Sequence, residues 1–191
     1  MDLYIKKGRL GAWYGNDDLG YLHEREHLCR PIIKLFDLDK TNGLDLGCGK
    51  RKSLPVAIGV DENRGPTSPF GWFSDPDLIA DANDLANDLP FKDETIDWIT
   101  AAHIIEHMED PIKSINEWLR VLKKDGVLSM IIPIAEKVGK IGSDGADSTH
   151  KHDYTINDFK SRVIDKVEGV DIIDYNTYEN NWSFNCVLRK K

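Results

Sequence analysis

Leu44-Asp45-Leu46-Gly47-Cys48-Gly49 runs from an apolar strand into a glycine turn, and Asp61 closes the next apolar run, Val56–Val60. Glycines at 47 and 49 remove the Cβ obstacle, so backbone N–H groups can come close to a ligand. An acid at the end of a second strand is placed to accept hydrogen bonds from ribose hydroxyls. Together these residues suit a nucleoside cofactor, although a structural turn and a helix-capping Asp would use the same residue types. Lys50, Arg51 and Lys52 follow where a further glycine would be expected. Their charge would either grip a cofactor carboxylate, Arg51 best through its bidentate fork, or face solvent.

Two histidine patterns suggest other chemistry. His23-Glu24-Arg25-Glu26-His27 matches H-E-x-x-H, and His103-Ile104-Ile105-Glu106-His107 matches the inverted H-x-x-E-H. Histidines at i and i+4 meet one metal only if the segment is helical. The first segment reads as a helix whose Arg25, Glu24 and Glu26 form an exposed charged face. The second spans a strand end and a turn, so its imidazoles need not converge. No third ligand is nominated for either, and no metal is expected. A third polar cluster, Asp147–Thr155, carries His150, His152 and Tyr154 on the side of the sheet where open α/β folds bind ligands. A neutral histidine there would serve as a general base, and these three are the candidate catalytic residues, against the alternative of plain surface groups.

The elements that must position these residues alternate. A helical pattern runs from Leu19 to Phe36, with Pro31 inside it. Strands are expected at Gly43–Leu46, Val56–Val60, Leu78–Ala82, Ile96–Ala102 and Val127–Ile132. Asp110 caps a helix with Pro111 at its first position, which stops near Lys124-Asp125-Gly126. Residues 134–153 read as a long loop, Thr155 opens a helix to about Lys166, and Val170–Thr177 and Ser183–Arg189 are late strands joined by a polar link. Strands alternating with helices imply a mainly parallel sheet covered on both faces, and the last pair implies an antiparallel hairpin. Too few residues separate Leu46 from Val56 for a full crossover helix, so the basic run lies in a tight crossover. The N-terminal helix is then expected to cover the bare face.

The 191 residues suffice for one domain with its own core: an N-terminal helical or lid segment (1–40) and a Rossmann-like core (41–191). With 25 Lys and Arg against 33 Asp and Glu, the net charge of -8 argues against a phosphate-backbone binder, which would need a basic footprint. Cys29, Cys48 and Cys186 have neither zinc nor redox spacing, and no stretch has membrane-span or signal-peptide length. These features suit a soluble, cytoplasmic protein with reduced thiols. Trp13-Tyr14 and Ser68–Phe73 place aromatics in glycine-flanked loops, as pocket walls or core anchors.

LDLGCG, VDEN, DANDLANDLPFKDETIDWI, AHIIEHMEDP and EWLRVLKKDGVLSMIIP, in this order over residues 43–133, resemble the class I S-adenosylmethionine-dependent methyltransferases, closest to the small type-11-like group. The resemblance implies a Rossmann-like seven-stranded, mainly parallel sheet with an antiparallel terminal strand, here with a shortened first crossover helix. It implies that Gly47, Cys48 and Gly49 pass under the methionine part of S-adenosylmethionine, and that Asp45 orients the turn. Asp61 would hold the ribose, Asp81 and Ala82 would meet the adenine, and Ala102 and His103 would line the methyl-donor pocket. Arg51 stands at the usual third glycine. The expected activity is methyl transfer to an oxygen or nitrogen of a small molecule or sugar, with no nucleic-acid or membrane partner. The alternatives are a non-catalytic binding protein with this fold and an NAD-dependent oxidoreductase, which would need G-x-G-x-x-G opening a helix.

Overall fold

The computed structural model describes residues 19–49, 52–62, 76–80, 82–177 and 182–191, with the backbone alone for 19–23 and 82–84. Its elements are α1 (Leu19–Leu35), β1 (Gly43–Leu46), β2 (Ile58–Asp61), β3 (Leu78–Ile79), α2 (Ala82–Asn87), β4 (Ile96–Ala102), α3 (Pro111–Val121), β5 (Leu122–Pro133), the single turn α4 (Ala135–Val138), α5 (Ile156–Arg162), β6 (Val170–Thr177) and β7 (Ser183–Lys190). Short 3-10 turns lie at Ile105–His107 and Ile164–Lys166. One seven-stranded sheet has the order β3-β2-β1-β4-β5-β7-β6. The first five strands pair in parallel, and β7 pairs antiparallel with both β5 and β6.

Strand alternation divides the core between two faces. In β5, Val127 and Ile131 join Leu28, Cys29, Ile32, Leu54, Trp98 and Val187 under α1. Leu128, Met130 and Ile132 point the other way, toward Trp118, Leu119, Tyr154 and Phe159. Thus α1 covers the face that the short first crossover leaves bare, as the chain length between β1 and β2 requires. The Ser129 hydroxyl donates to the Leu28 carbonyl at 2.7 Å and ties α1 to β5. Gly43 is set by close approach: a Cβ there would stand 2.1 Å from the Trp98 ring.

The local signals at two helix starts hold. The Asp110 carboxylate accepts from the N–H groups of Ile112 and Lys113, with Pro111 first in α3. Thr155 and Asp158 form a reciprocal capping box on α5.

Several boundaries differ from expectation. β2 begins at Ile58, because residues 54–57 close a turn through Ala57 N–H to Leu54 C=O at 3.0 Å. β3 ends at Ile79, and Ala82 opens α2, a helix too short for periodicity to reveal. Leu122 pairs with Ile96, so β5 starts directly at the end of α3 and passes through a kink where Asp125 has φ 62°. α5 ends at Arg162, and the remainder to Lys166 is a 3-10 turn.

Candidate functional site

β1 ends in the turn that opened the sequence reading. Gly47 and Gly49 have φ +65° and +59°, the left-handed region that glycine enters without a Cβ penalty. A Cβ on Gly47 would meet Ile104 at 3.0 Å, whereas one on Gly49 would meet nothing within 4 Å. The turn's amides were expected to face a ligand, but they bind β2. Gly47 and Cys48 N–H donate to the Val60 carbonyl at 2.9 and 3.3 Å, and Gly49 N–H donates to Asp61 Oδ2 at 2.6 Å. Asp61, 8% exposed, therefore fixes the turn as well as ending β2. Burial pushes the Cys48 thiol well above its usual range.

The tight crossover is held by side chains in place of a helix. Buried Asp45 accepts from Ser53 N–H and from the Thr100 hydroxyl, the latter at 2.9 Å. Burial raises its carboxyl to about 6, although these hydrogen bonds and the charge of Arg25 act against the rise. Arg25 reaches from α1 to the Lys52 carbonyl at 2.6 Å. The Lys52 ammonium pairs with Asp77 at 2.8 Å, and Asp77 also accepts from Gly59 N–H at 2.8 Å. Lys50, Arg51 and Asp81 lie outside the described residues, and Ala82 is described only as the backbone that opens α2. Trp13, Tyr14 and Ser68–Phe73 also lie outside them.

The H-E-x-x-H segment of α1 does not present the expected charged face, since Glu24 and Arg25 are both buried. Glu24 accepts a hydrogen bond from the Ser183 hydroxyl and stands 3.2 Å from His103 Nε2. Ala102 packs beside the core under α1. His103 follows at the end of β4 with φ 53°, and its N–H donates to the Ile131 carbonyl at 3.0 Å. Burial alone would lower the His103 pKa, but the Glu24 hydrogen bond and the charges of Glu24 and Glu106 raise it.

His103 and His107 do converge. Both face Glu106, which lies in the 3-10 turn with 0% exposure. Glu106 Oε1 stands 3.7 Å from His103 Nδ1, 3.8 Å from His107 Nε2 and 3.9 Å from His150 Nε2. Neither carboxylate oxygen accepts a hydrogen bond from another described residue, and only the residue's own N–H acts on it. Burial pushes the Glu106 carboxyl up to about 7, with the nearby His103 opposing the rise. The His150 pKa is lowered, first by burial, against the charge of Asp147. The rings of His107 and His150 meet edge to face at 4.8 Å.

The Glu106 carbonyl accepts from Lys151 and His152 N–H at 2.9 and 3.2 Å, which anchors the 147–153 loop to the turn. Of the three candidate loop residues, only His150 joins the cluster. His152 Nε2 meets the Met108 carbonyl at 2.9 Å, and its ring stacks on Tyr154. Tyr154 is buried edge-on against Phe159, and burial pushes its phenol above the usual range. Glu106 and His107 were visible as a literal H-x-x-E-H match and as part of the AHIIEHMEDP stretch, where the methyltransferase resemblance accounts for them without metal. Their third companion, His150, is 43 residues further on in the chain than His107.

Residues 73–130 match the model of a methyltransferase domain family. The chain is 32% identical to an uncharacterised protein of Methanocaldococcus jannaschii over 133 residues, 68% of this chain and 59% of that protein. It therefore spans about three fifths of the relative's length. Among solved structures, a Haloferax volcanii putative methyltransferase structure, determined as a complex with the methyltransferase activator Trm112, is similar with TM-score 0.64 and 15% identity, covering 99% of this chain and 96% of that one. A Thermotoga maritima S-adenosylmethionine-dependent methyltransferase, described as a possible histamine N-methyltransferase, is similar with TM-score 0.59 and 17% identity, over 100% and 96% of the two chains. A Pyrococcus horikoshii protein gives TM-score 0.61 and 18% identity over 97% and 99%. Strand order and these likenesses define the class: the fold is that of the class I S-adenosylmethionine-dependent methyltransferases. The family-model match covers residues 73–130, under a third of the chain, and the likeness to the solved structures is one of fold.

Proposed function

We propose that the chain transfers a methyl group from S-adenosylmethionine to an oxygen or nitrogen of a small molecule or sugar. The observation that carries this reading is the pairing of the left-handed turn at Gly47–Gly49 with the Asp61 carboxylate at the end of the adjacent strand, in a sheet of methyltransferase order. The open space over Gly49 fits a cofactor lying across the turn, since a Cβ there would meet nothing within 4 Å. On this reading Asp61 holds the ribose with its carboxylate while fixing the turn beneath it. Asp45 sets the turn's far end by binding Ser53 N–H. Asp81 and Ala82 meet the adenine, Ala102 and His103 line the donor pocket, and Arg51 is kept as a candidate for the cofactor carboxylate.

When bound, the cofactor supplies an activated methyl group, so the chain's own work is to orient the acceptor and exclude water. Of the three candidate catalytic residues, His150 is the one kept on the acceptor side, because His152 and Tyr154 are engaged elsewhere. Among the described residues no helix is long and apolar enough to cross a membrane. A small uncharged or cationic acceptor suits a chain of net charge -8, and reduced, unpaired thiols suit the cytoplasm.

The test is thermal melting with S-adenosylmethionine and, separately, with NAD, followed by transfer of a labelled methyl group to a panel of acceptors. Stabilisation by S-adenosylmethionine alone and label on an acceptor are expected. Stabilisation by NAD alone would overturn the reading, and cofactor binding without transfer to any acceptor would make this a binding protein.

A further inference from the structure

We propose that Glu106, His107 and His150 bind a divalent transition-metal ion. Ligand atoms of the three lie within 4.8 Å of one another. His103 Nδ1 stands on the same carboxylate oxygen at 3.7 Å.

Glu106 is the observation that demands an occupant. It is fully buried, and neither of its oxygens accepts a hydrogen bond from any other described residue. A buried carboxylate that no neighbouring residue hydrogen-bonds is costly unless something cationic meets it. Three imidazole nitrogens surround it at 3.7–3.9 Å, beyond hydrogen-bond length. Direct charge-assisted pairing would close such contacts to about 2.8 Å. Donors bound to one ion at about 2.1 Å stand roughly 3.0–3.5 Å from one another. The carboxylate–imidazole spacings need only a few tenths of an ångström of contraction around a central ion, and the widest spacing in the trio, 4.8 Å, must close by about 1.3 Å through side-chain rotation.

The proton positions agree. The Thr149 hydroxyl donates to the acceptor-only carboxylate of Asp147 at 2.5 Å, so toward His107 Nδ1, 3.0 Å away, it accepts. Nδ1 therefore carries a proton, which leaves Nε2, 3.8 Å from Glu106 Oε1, as the ring atom that can give a lone pair to a metal. A ligating histidine characteristically has its second nitrogen oriented in this way by an outer hydrogen bond.

One carboxylate with two imidazoles suits Zn2+, Co2+, Fe2+ or Mn2+ rather than the oxygen-seeking Ca2+ and Mg2+. Glu106 is the buried floor, while His107, His150 and His103 are partly exposed at the rim. Three protein donors leave a coordination position for water or an oxygen of a ligand, the arrangement of catalytic rather than structural sites. The inference does not depend on methyl transfer.

The protein, stripped with a chelator, is titrated with Co2+ and with Zn2+, followed by calorimetry and, for Co2+, by visible absorption. One equivalent is expected to bind, with the absorption of a nitrogen- and oxygen-ligated ion. Glu106→Gln keeps the side chain's shape and removes its charge. It and His150→Ala should each weaken uptake at least tenfold, while His27→Ala on α1 leaves it unchanged. Metal-free melting reports whether each variant folds, and the loop residue His150 carries the test should Glu106→Gln not fold. Absence of saturable uptake, uptake unchanged in folded His150→Ala, or Mg2+ binding as tightly as Co2+ would overturn the site. Absence of metal uptake by the unsubstituted protein, with intact S-adenosylmethionine binding, would reject this inference alone.

Discussion

Asp61 Oδ2 accepts the Gly49 N–H at 2.6 Å, so one carboxylate both ends β2 and clamps the glycine turn of β1. Asp61→Ala removes the clamp together with the proposed ribose acceptor. Hydrogen bonds to a charged group contribute about 1.5–3 kcal/mol, which corresponds to roughly a ten- to hundredfold loss of cofactor affinity. Titration calorimetry with S-adenosylmethionine should show that loss, while the far-ultraviolet spectrum stays that of a folded chain. Unchanged affinity would remove Asp61 from the cofactor site.

Asp45 sets a pH dependence of opposite sign to the usual carboxylate. Its folded pKa is raised to about 6 by burial, above the value of the unfolded chain. Between about pH 4 and 6 the folded state keeps a proton that the unfolded state has lost. Stability from this group is therefore full at low pH, falls as pH rises across that window, and is level above it. The two-unit displacement corresponds to about 3 kcal/mol. Asp45→Asn cannot ionise, and its amide donates where Ser53 N–H or the Thr100 hydroxyl needs an acceptor. Urea unfolding at several pH values should show a smaller fall from pH 4 to 6 in the variant, on a lower overall stability. An identical pH profile would mean that Asp45 is ionised throughout.

Gly43 tests the packing under α1. An alanine Cβ would stand 2.1 Å from the Trp98 ring, which is completely buried and whose N–H donates to Thr41 at 3.1 Å. The ring has no room to retreat, so Gly43→Ala should destabilise by at least the 1–3 kcal/mol or so typical of overpacking. Chemical denaturation measures it. A change within about 0.5 kcal/mol would mean that α1 lifts from the sheet freely.

Local chemistry wrote itself into the sequence, and long-range chemistry did not. The Asp110-Pro111 start and the Thr155 cap were readable because donor and acceptor lie within three residues of each other. The missing first crossover helix was readable from chain length alone. Glu24 and Arg25 looked like a solvated face because their partners are far away: His103 is 79 residues on, Ser183 is 159, and the Lys52 carbonyl is 27. The convergence of His103, Glu106 and His107 depends on a backbone reversal at His103, where φ is 53°. Neither apolar periodicity nor propensity marks that reversal. His150 reaches the same carboxylate only because its loop is bound to the Glu106 carbonyl through Lys151 and His152 N–H.

The basic run of the first crossover can be divided by mutation. The Lys52 ammonium is held by Asp77, and its stem lies over Gly59, where a Cβ would meet it at 2.9 Å. Both features belong to the link between the crossover and β2, not to the open side of the turn. Lys52→Met preserves the stem and removes the charge. S-adenosylmethionine affinity should stay within about twofold, and stability should fall by no more than about 1 kcal/mol, the scale of a partly exposed ion pair. High salt should erase most of that stability difference by screening the pair in the parent protein. A tenfold loss of affinity in Lys52→Met would instead place its charge on the cofactor, and Asp77→Asn should then strengthen binding by releasing the ammonium.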